Sequence, residues 1–226
     1  MTMGKAISEV IPFAIGVAIS PLSIIAVILV LLSAKARVNG LVFTAGWLVG
    51  VALVATVIYL LADAGDVSSG GSGSDTSYWL KLVGGILLVL VAFRDWRKRP
   101  AAEDAVAQPK WMSAIDTLTP VKTGGLAVLL AVANPKNLAL SLAAGASLAQ
   151  AGVSGGEAAV GLIVFVVIAS VGVIVPVVAY FAGGERAAHM LDGWKAWLST
   201  NNTAMMAVLF LVFGAVLFSQ GLRGLT

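Results

Sequence analysis

The chain has 226 residues, 59% of them hydrophobic and only 11% charged, with a formal net charge of +3. An ordinary soluble domain is about half apolar and about a quarter charged, so a single globule of this size could neither hide these apolar residues nor coat itself. That balance disfavours a soluble enzyme, a disordered regulator or a nucleic-acid binder, and the lack of cysteine excludes disulfide scaffolds, thiolate metal sites and dithiol redox chemistry.

The composition predicts an all-α integral membrane protein. Crossing about 30 Å of hydrocarbon takes about 20 mostly apolar residues, and six stretches qualify. In chain order they run from Ile7 to Ser33, Val38 to Ala62, Tyr78 to Phe93, Gly124 to Ala151, Ala158 to Ala182 and Thr203 to Leu222. The first is too long for a signal peptide and lacks a cleavage-like small-residue site. The third is the shortest and carries Lys81 near its start, where a long side chain can snorkel to the interface. Gly46-Trp47-Leu48-Val49-Gly50 in the second is a small-xxx-small motif, suited to close helix approach within the protomer or at a dimer contact.

Charge orients the set. Lys35 and Arg37 lie between the first two spans, Arg94, Arg97, Lys98, Arg99, Lys110 and Lys122 between the third and fourth, and Arg186 and Lys195 between the last two. The opposite loops, Asp63 to Ser77 and Gly152 to Glu157, contain no Lys or Arg. The positive-inside rule then puts three connections in the cytoplasm and both termini outside, with Lys5 and Arg223 as weak opposition.

The central segment divides the chain into residues 1–93, a basic cytoplasmic loop at 94–123, and residues 124–226. Arg94 to Arg99, with Trp96, reads as a membrane-surface anchor. Trp111, Met112, Ile115 and Leu118 recur at helical spacing, with Ser113 and Asp116 on another face, and predict a short amphipathic helix lying on the bilayer and ended by Pro120.

The two outer segments echo each other. Ser20-Pro21-Leu22-Ser23 interrupts the first span and Asn134-Pro135-Lys136-Asn137 the fourth, with the prolines about half the chain apart. Each half thus has a proline-broken span followed by two more. An odd number of spans per half inserts the second half upside down, giving a 3+3 inverted repeat of the kind found in secondary transporters. Lys136 stands about midway along its span, where an ammonium is costly unless paired or hydrated. Proline removes a backbone donor and obstructs the carbonyl four residues earlier, and freed backbone groups at that depth need protein or water to meet them. Asn134, Pro135, Lys136 and Asn137, with Ser20, Pro21 and Ser23 as symmetry partners, are therefore the candidate substrate-binding residues, for an anionic group such as a carboxylate, phosphate or sulfate. Pro176 is expected to kink the fifth span, with Ser170 nearby as a candidate lining residue of the same cavity. His189 reads as a solvated loop residue, and Trp194 and Trp197 as interfacial anchors. No catalytic constellation, metal-ligand spacing or phosphate-cradling motif is present, so neither an enzyme nor a cofactor is expected.

Ile19-Ser20-Pro21-Leu22-Ser23-Ile24 running into Ala36-Arg37-Val38-Asn39-Gly40, Pro109-Lys110-Trp111-Met112, Thr119-Pro120-Val121-Lys122, Asn134-Pro135-Lys136-Asn137-Leu138 and Gly152 to Ala159 together resemble the GAP (glycolipid/peptidoglycolipid-addressing) family. That family belongs to the lysine-exporter (LysE) superfamily of six-span proteins. The resemblance implies an actinobacterial plasma-membrane (inner-membrane) exporter, often homodimeric, linked to delivery of envelope glycolipids. Its partners would be membrane lipids, the transported small molecule or glycolipid, and envelope-lipid export machinery. The expected function is secondary export of an amphipathic or anionic solute by alternating access. The alternatives are a non-transporting accessory protein for a lipid exporter, or an exporter of small amino acids or cations.

Overall fold

The computed structural model describes residues 2–68, 82, 85, 86, 88–90, 92–94, 96, 97, 115 and 118–225. Among these residues the chain is helical, with no strand. In order, α1 is Thr2–Ala18, α2 Pro21–Leu31, α3 Ala36–Ser68, α4 Pro120–Val132, α5 Pro135–Gln150 and α6 Gly155–Ala169. The final helical run, Val171–Leu225, is interrupted at Gly184 (φ 54°, ψ −132°). That backbone conformation suits glycine because it has no Cβ to clash. The run is therefore taken as α7, Val171–Gly184, and α8, Arg186–Arg223.

This is a membrane protein. Two helices, Ala36–Leu61 within α3 and all of α8, are each long and apolar enough to cross a bilayer. Three further candidates are bent pairs: α1 with α2 (55°), α4 with α5 (61°), and α6 with α7 (53°). The first two bends fall at Pro21 and Pro135, each the first residue of its new helix. Proline fits there, since the first N–H of a helix has no intrahelical partner in any case. The expected third span, Tyr78 to Phe93, lies largely outside the described residues.

The chain divides into two compact units, Met1–Ala64 with Gln108–Trp197, and Gly65–Ala107 with Leu198–Thr226. In the first unit, α1 turns one stripe inward: Ala6, Val10, Phe13, Ala14 and Val17 are buried at helical spacing. Ile25, Ala26, Val27, Ile28, Val30 and Leu31 make α2 buried nearly all round. Helix α1 packs on α5 and α6, and α2 meets α4. The Gly46/Gly50 motif is used within the protomer: a Cβ on Gly46 would lie 2.6 Å from the Gly124 carbonyl oxygen, and one on Gly50 2.8 Å from Ala131 Cβ, both on α4. Helix α6 starts with a capping box, in which the Ser154 N–H donates to Glu157 Oε2 at 2.8 Å. In the second unit, Gly85 lies against the backbone of Gly214 and Phe218. Ala92, Phe93, Trp96, Ala207, Val208 and Leu211 line an apolar groove of about 260 Å³ there.

Three expectations are corrected. The fifth span bends at Ser170, six residues before Pro176, which sits inside α7. Residues 186–202 form the first turns of α8 rather than a loop, and His189 is an exposed helical residue. Ile115 is buried in the protein at 1% exposure rather than lying on a bilayer-facing stripe, and the Asn39 side-chain amide donates to the Leu118 carbonyl at 3.2 Å. Trp111, Met112, Ser113 and Asp116 of that segment are outside the described residues.

Candidate anion-binding site at the helix breaks

Two lysine contacts set the geometry of the first unit. Lys136 Nζ, at the start of α5, donates to the Gly16 carbonyl oxygen near the end of α1 at 2.8 Å. Lys5 Nζ, near the start of α1, donates to the carbonyl of Ala151, the C-cap of α5, at 2.7 Å. The two helices therefore run antiparallel, and the first proline break stands beside the second. Both lysines approach a helix C-terminal region, where carbonyls lack intrahelical partners and the macrodipole is negative.

The two environments differ. Lys5 is exposed, whereas Lys136 is 3% exposed. Among the described residues, Gly16 is the only hydrogen-bond partner of the Lys136 ammonium. An ammonium has three donors and no acceptor, so two N–H groups remain for another ligand. No carboxylate among the described residues forms an ion pair with it. An unneutralised buried charge is among the most expensive features a fold can carry.

The expected site residues are distributed as follows. Asn134 is the N-cap of α5 and its side-chain oxygen accepts from the Lys136 backbone N–H at 3.0 Å. It is half-buried, and Pro135 beside it is exposed, so these two shape the break. Asn137 is buried; its side-chain amide reaches back to the Leu130 carbonyl at 3.4 Å, across the break, while Oδ1 has no partner. Ser20, Pro21 and Ser23 are buried at the other break. Ser20 is the N-cap of α2 but makes no side-chain cap bond, and the hydroxyls of Ser20 and Ser23 are both unpartnered. Asn134, Pro135, Lys136 and Asn137 are thus brought to the α1–α2 break through the Lys136–Gly16 contact.

A third break joins them. A Cβ on Gly172 would collide with the Ala18 carbonyl and stand 3.3 Å from Ile24 Cγ1. The start of α7 therefore presses its bare backbone on the α1–α2 break. Ser170, two residues earlier, is fully buried with an unpartnered hydroxyl. The sequence marks Ser170 only as a neighbour of Pro176, because no proline stands at the break itself. Its signal was a lone hydroxyl in a long run of Val, Ile, Ala and Phe.

Helices α2, α5 and α7 begin here and α1, α4 and α6 end here, so their terminal dipoles oppose one another and the positive charge of the locus is that of Lys136. Its spare donors suit an anion rather than a cation.

The family model of Sap, the sulfolipid-1-addressing protein, matches residues 10–223. The chain belongs to that family. No curated protein and no solved structure matches it. The family match covers all three breaks, so Lys136, Ser20, Ser23 and Ser170 lie within the shared region. It is consistent with the resemblance to glycolipid-addressing proteins, and the family's name refers to a sulfolipid.

Proposed function

We propose that this Sap-family protein is a secondary exporter of an anionic amphipathic lipid, with the head held at Lys136 between the helix breaks. The observation that carries this reading is the buried Lys136 ammonium, which has one carbonyl partner and stands where two broken helices meet. Discontinuous helices whose N-termini face an anionic substrate group are the recurring site design of secondary transporters. A sulfo-lipid head, as in the family name, matches the sign of the site. Export of a small cation does not.

A 3+3 inverted repeat and LysE-superfamily kinship are part of the same proposal. If α1, α2 and α3 correspond to α4, α5 and the α6–α7 pair, α1 packs on α5 and α4 touches α2, the second contact being much the smaller. The approach of α3 glycines to α4 mirrors Gly161 of α6, where an added Cβ would lie 3.3 Å from the Ala6 carbonyl of α1. Alternating exposure would then come from rocking one half against the other about the breaks. The setting we propose is a bacterial inner membrane, with both termini outside, action as a homodimer and handover to envelope-lipid export machinery.

Reconstituted vesicles loaded with a fluorescent sulfated lipid test the reading. Lys136→Met is expected to lower flux at least about tenfold, equivalent to about 1.4 kcal/mol, while the variant stays folded and inserted. Wild-type flux in that variant, or retention of a cation in place of the anion, would overturn the reading.

A further inference from the structure

The third break adds a hydroxyl that the two proline breaks do not supply, and it names the chemistry of the head. Resting on the anion-site reading above, we infer that Ser170, with Ser20 and Ser23, makes the site selective for a tetrahedral oxyanion monoester, sulfo or phospho, over a carboxylate.

Ser20 and Ser170 each immediately precede a new helix, α2 or α7, but with different backbones: Ser20 is an extended N-cap (φ −85°, ψ 105°), where a serine ordinarily turns its oxygen onto an N–H of the first turn, and Ser170 is the C-cap of α6 (φ −93°, ψ −6°). Ser20 makes no such bond, and the Ser170 hydroxyl is unpartnered. Ser23, in the first turn of α2, is unpartnered as well. All three residues are at most 1% exposed. Buried hydroxyls are overwhelmingly paired in folded proteins, so three unpaired ones flanking one close backbone contact, Gly172 against Ala18, are unusual.

Each hydroxyl can donate once, and the Lys136 ammonium has two donors beyond its Gly16 bond. A carboxylate offers two oxygens in one plane. A sulfo or phospho monoester offers three around a central atom. Donors supplied from three separate helix starts fit the latter. On this reading Ser170 is the specificity residue, because the α7 start adds the third direction, while Lys136 supplies charge to either kind of head.

The test uses the purified full chain in detergent micelles and native mass spectrometry with three probes on one sterol: cholesteryl sulfate, cholesteryl phosphate and cholesteryl hemisuccinate. Wild type is expected to bind the sulfate about tenfold more tightly than the hemisuccinate, with the phosphate within a few-fold of the sulfate. Ser170→Ala is expected to shrink the sulfate preference to about twofold with hemisuccinate binding unchanged, and Ser170→Thr, which keeps the hydroxyl, to restore it. Thermal melts of both variants check folding. Competition with sodium sulfate separates the sources: displacement shows that the free oxyanion suffices, lack of displacement that the apolar tail is needed, and both are compatible with the hydroxyl cradle. An unchanged sulfate preference in Ser170→Ala, or phosphate binding as weak as hemisuccinate, overturns the inference. Lys136→Met keeps the two readings apart. If it weakens all three probes about tenfold or more while Ser170→Ala changes no ratio, only the role of Ser170 fails. If it leaves all three untouched, the anion site itself is wrong.

Discussion

Helix α3 and the α6–α7 pair face similar packing tasks and solve them differently. Each passes a proline-broken pair, α3 through Gly46 and Gly50 against α4, and α6 through Gly161 against α1. Each then meets the neighbouring helix closely, α3 at Ile58 and Tyr59 against Gly145 of α5, and α7 at Gly172 against Ile24 of α2. Yet α3 runs unbroken over Ala36–Ser68, while the other turns by 53° at Ser170. Counting back from Ser170 by the spacing between Pro135 and Pro21 lands on Thr56 of α3, which is exposed, whereas Ser170 is fully buried. The contrast teaches that the bend belongs to the site. The helix that breaks is the one whose backbone presses on Ala18 and whose hydroxyl is left without a partner.

The largest effect is expected where that contact is tightest. Gly172→Val pushes a branched side chain into the Ala18 carbonyl and should lower stability by about 3 kcal/mol, the upper end of typical overpacking, read as thermal melting in micelles. Gly50→Ala in α3 meets Ala131 Cβ and Val128 and is expected to lose about 1–2 kcal/mol. Gly156→Ala, where a Cβ meets nothing within 4 Å, is expected to lose nothing. A Gly172→Val protein that melts like wild type would show that α7 does not bear on the first break, and the contrast with α3 would lose its physical basis.

The two lysines sharpen the comparison from another side. Lys5→Met removes one bond to the α5 C-cap and should cost about 1 kcal/mol with flux retained. Lys136→Met leaves the Gly16 carbonyl unpaired, at about 1–3 kcal/mol, but also relieves a buried, unneutralised charge, a change that is often neutral or stabilising. Its melting point is therefore expected close to wild type while transport falls. Equal stability losses and equal flux in the two variants would mean that both lysines are simple clasps.

These residues also mark how far the sequence carried. Pro21 and Pro135 disclosed their breaks because proline imposes its constraint locally, and Lys136 stood out because charge is rare at membrane depth. The Ser170 break was hidden. Pro176 marks the span without marking the position, since it sits inside α7 while the bend lies six residues earlier, next to the contact of Gly172 with Ala18. The start of α8 was missed for a different reason: hydropathy reports where lipid lies, and a helix can extend beyond it. The burial of Ala187, Leu191 and Leu198 at helical spacing, with Arg186 and Asp192 exposed, was readable as an amphipathic helix. Lys5 looked like a stray charge opposing the orientation, because its partner carbonyl on Ala151 lies 146 residues away.

The smallest effect is the most discriminating. Ser170→Ala replaces an unpartnered buried hydroxyl with a methyl-sized side chain, so no hydrogen bond is lost and an unpaired polar group disappears. Removing such a group can recover about 1 kcal/mol, and alanine is a better helix former than serine. The variant is therefore expected to melt at or slightly above the wild-type temperature. A hydroxyl that served the fold would instead be missed, and the melt would fall by about 1 kcal/mol or more, as it does when a helix cap is deleted. Thr56→Ala on exposed α3 provides the reference, with a change within about 0.5 kcal/mol. A protein that becomes more stable when a buried polar group is removed has kept that group for something other than stability, which is the reason for placing Ser170 with the ligand.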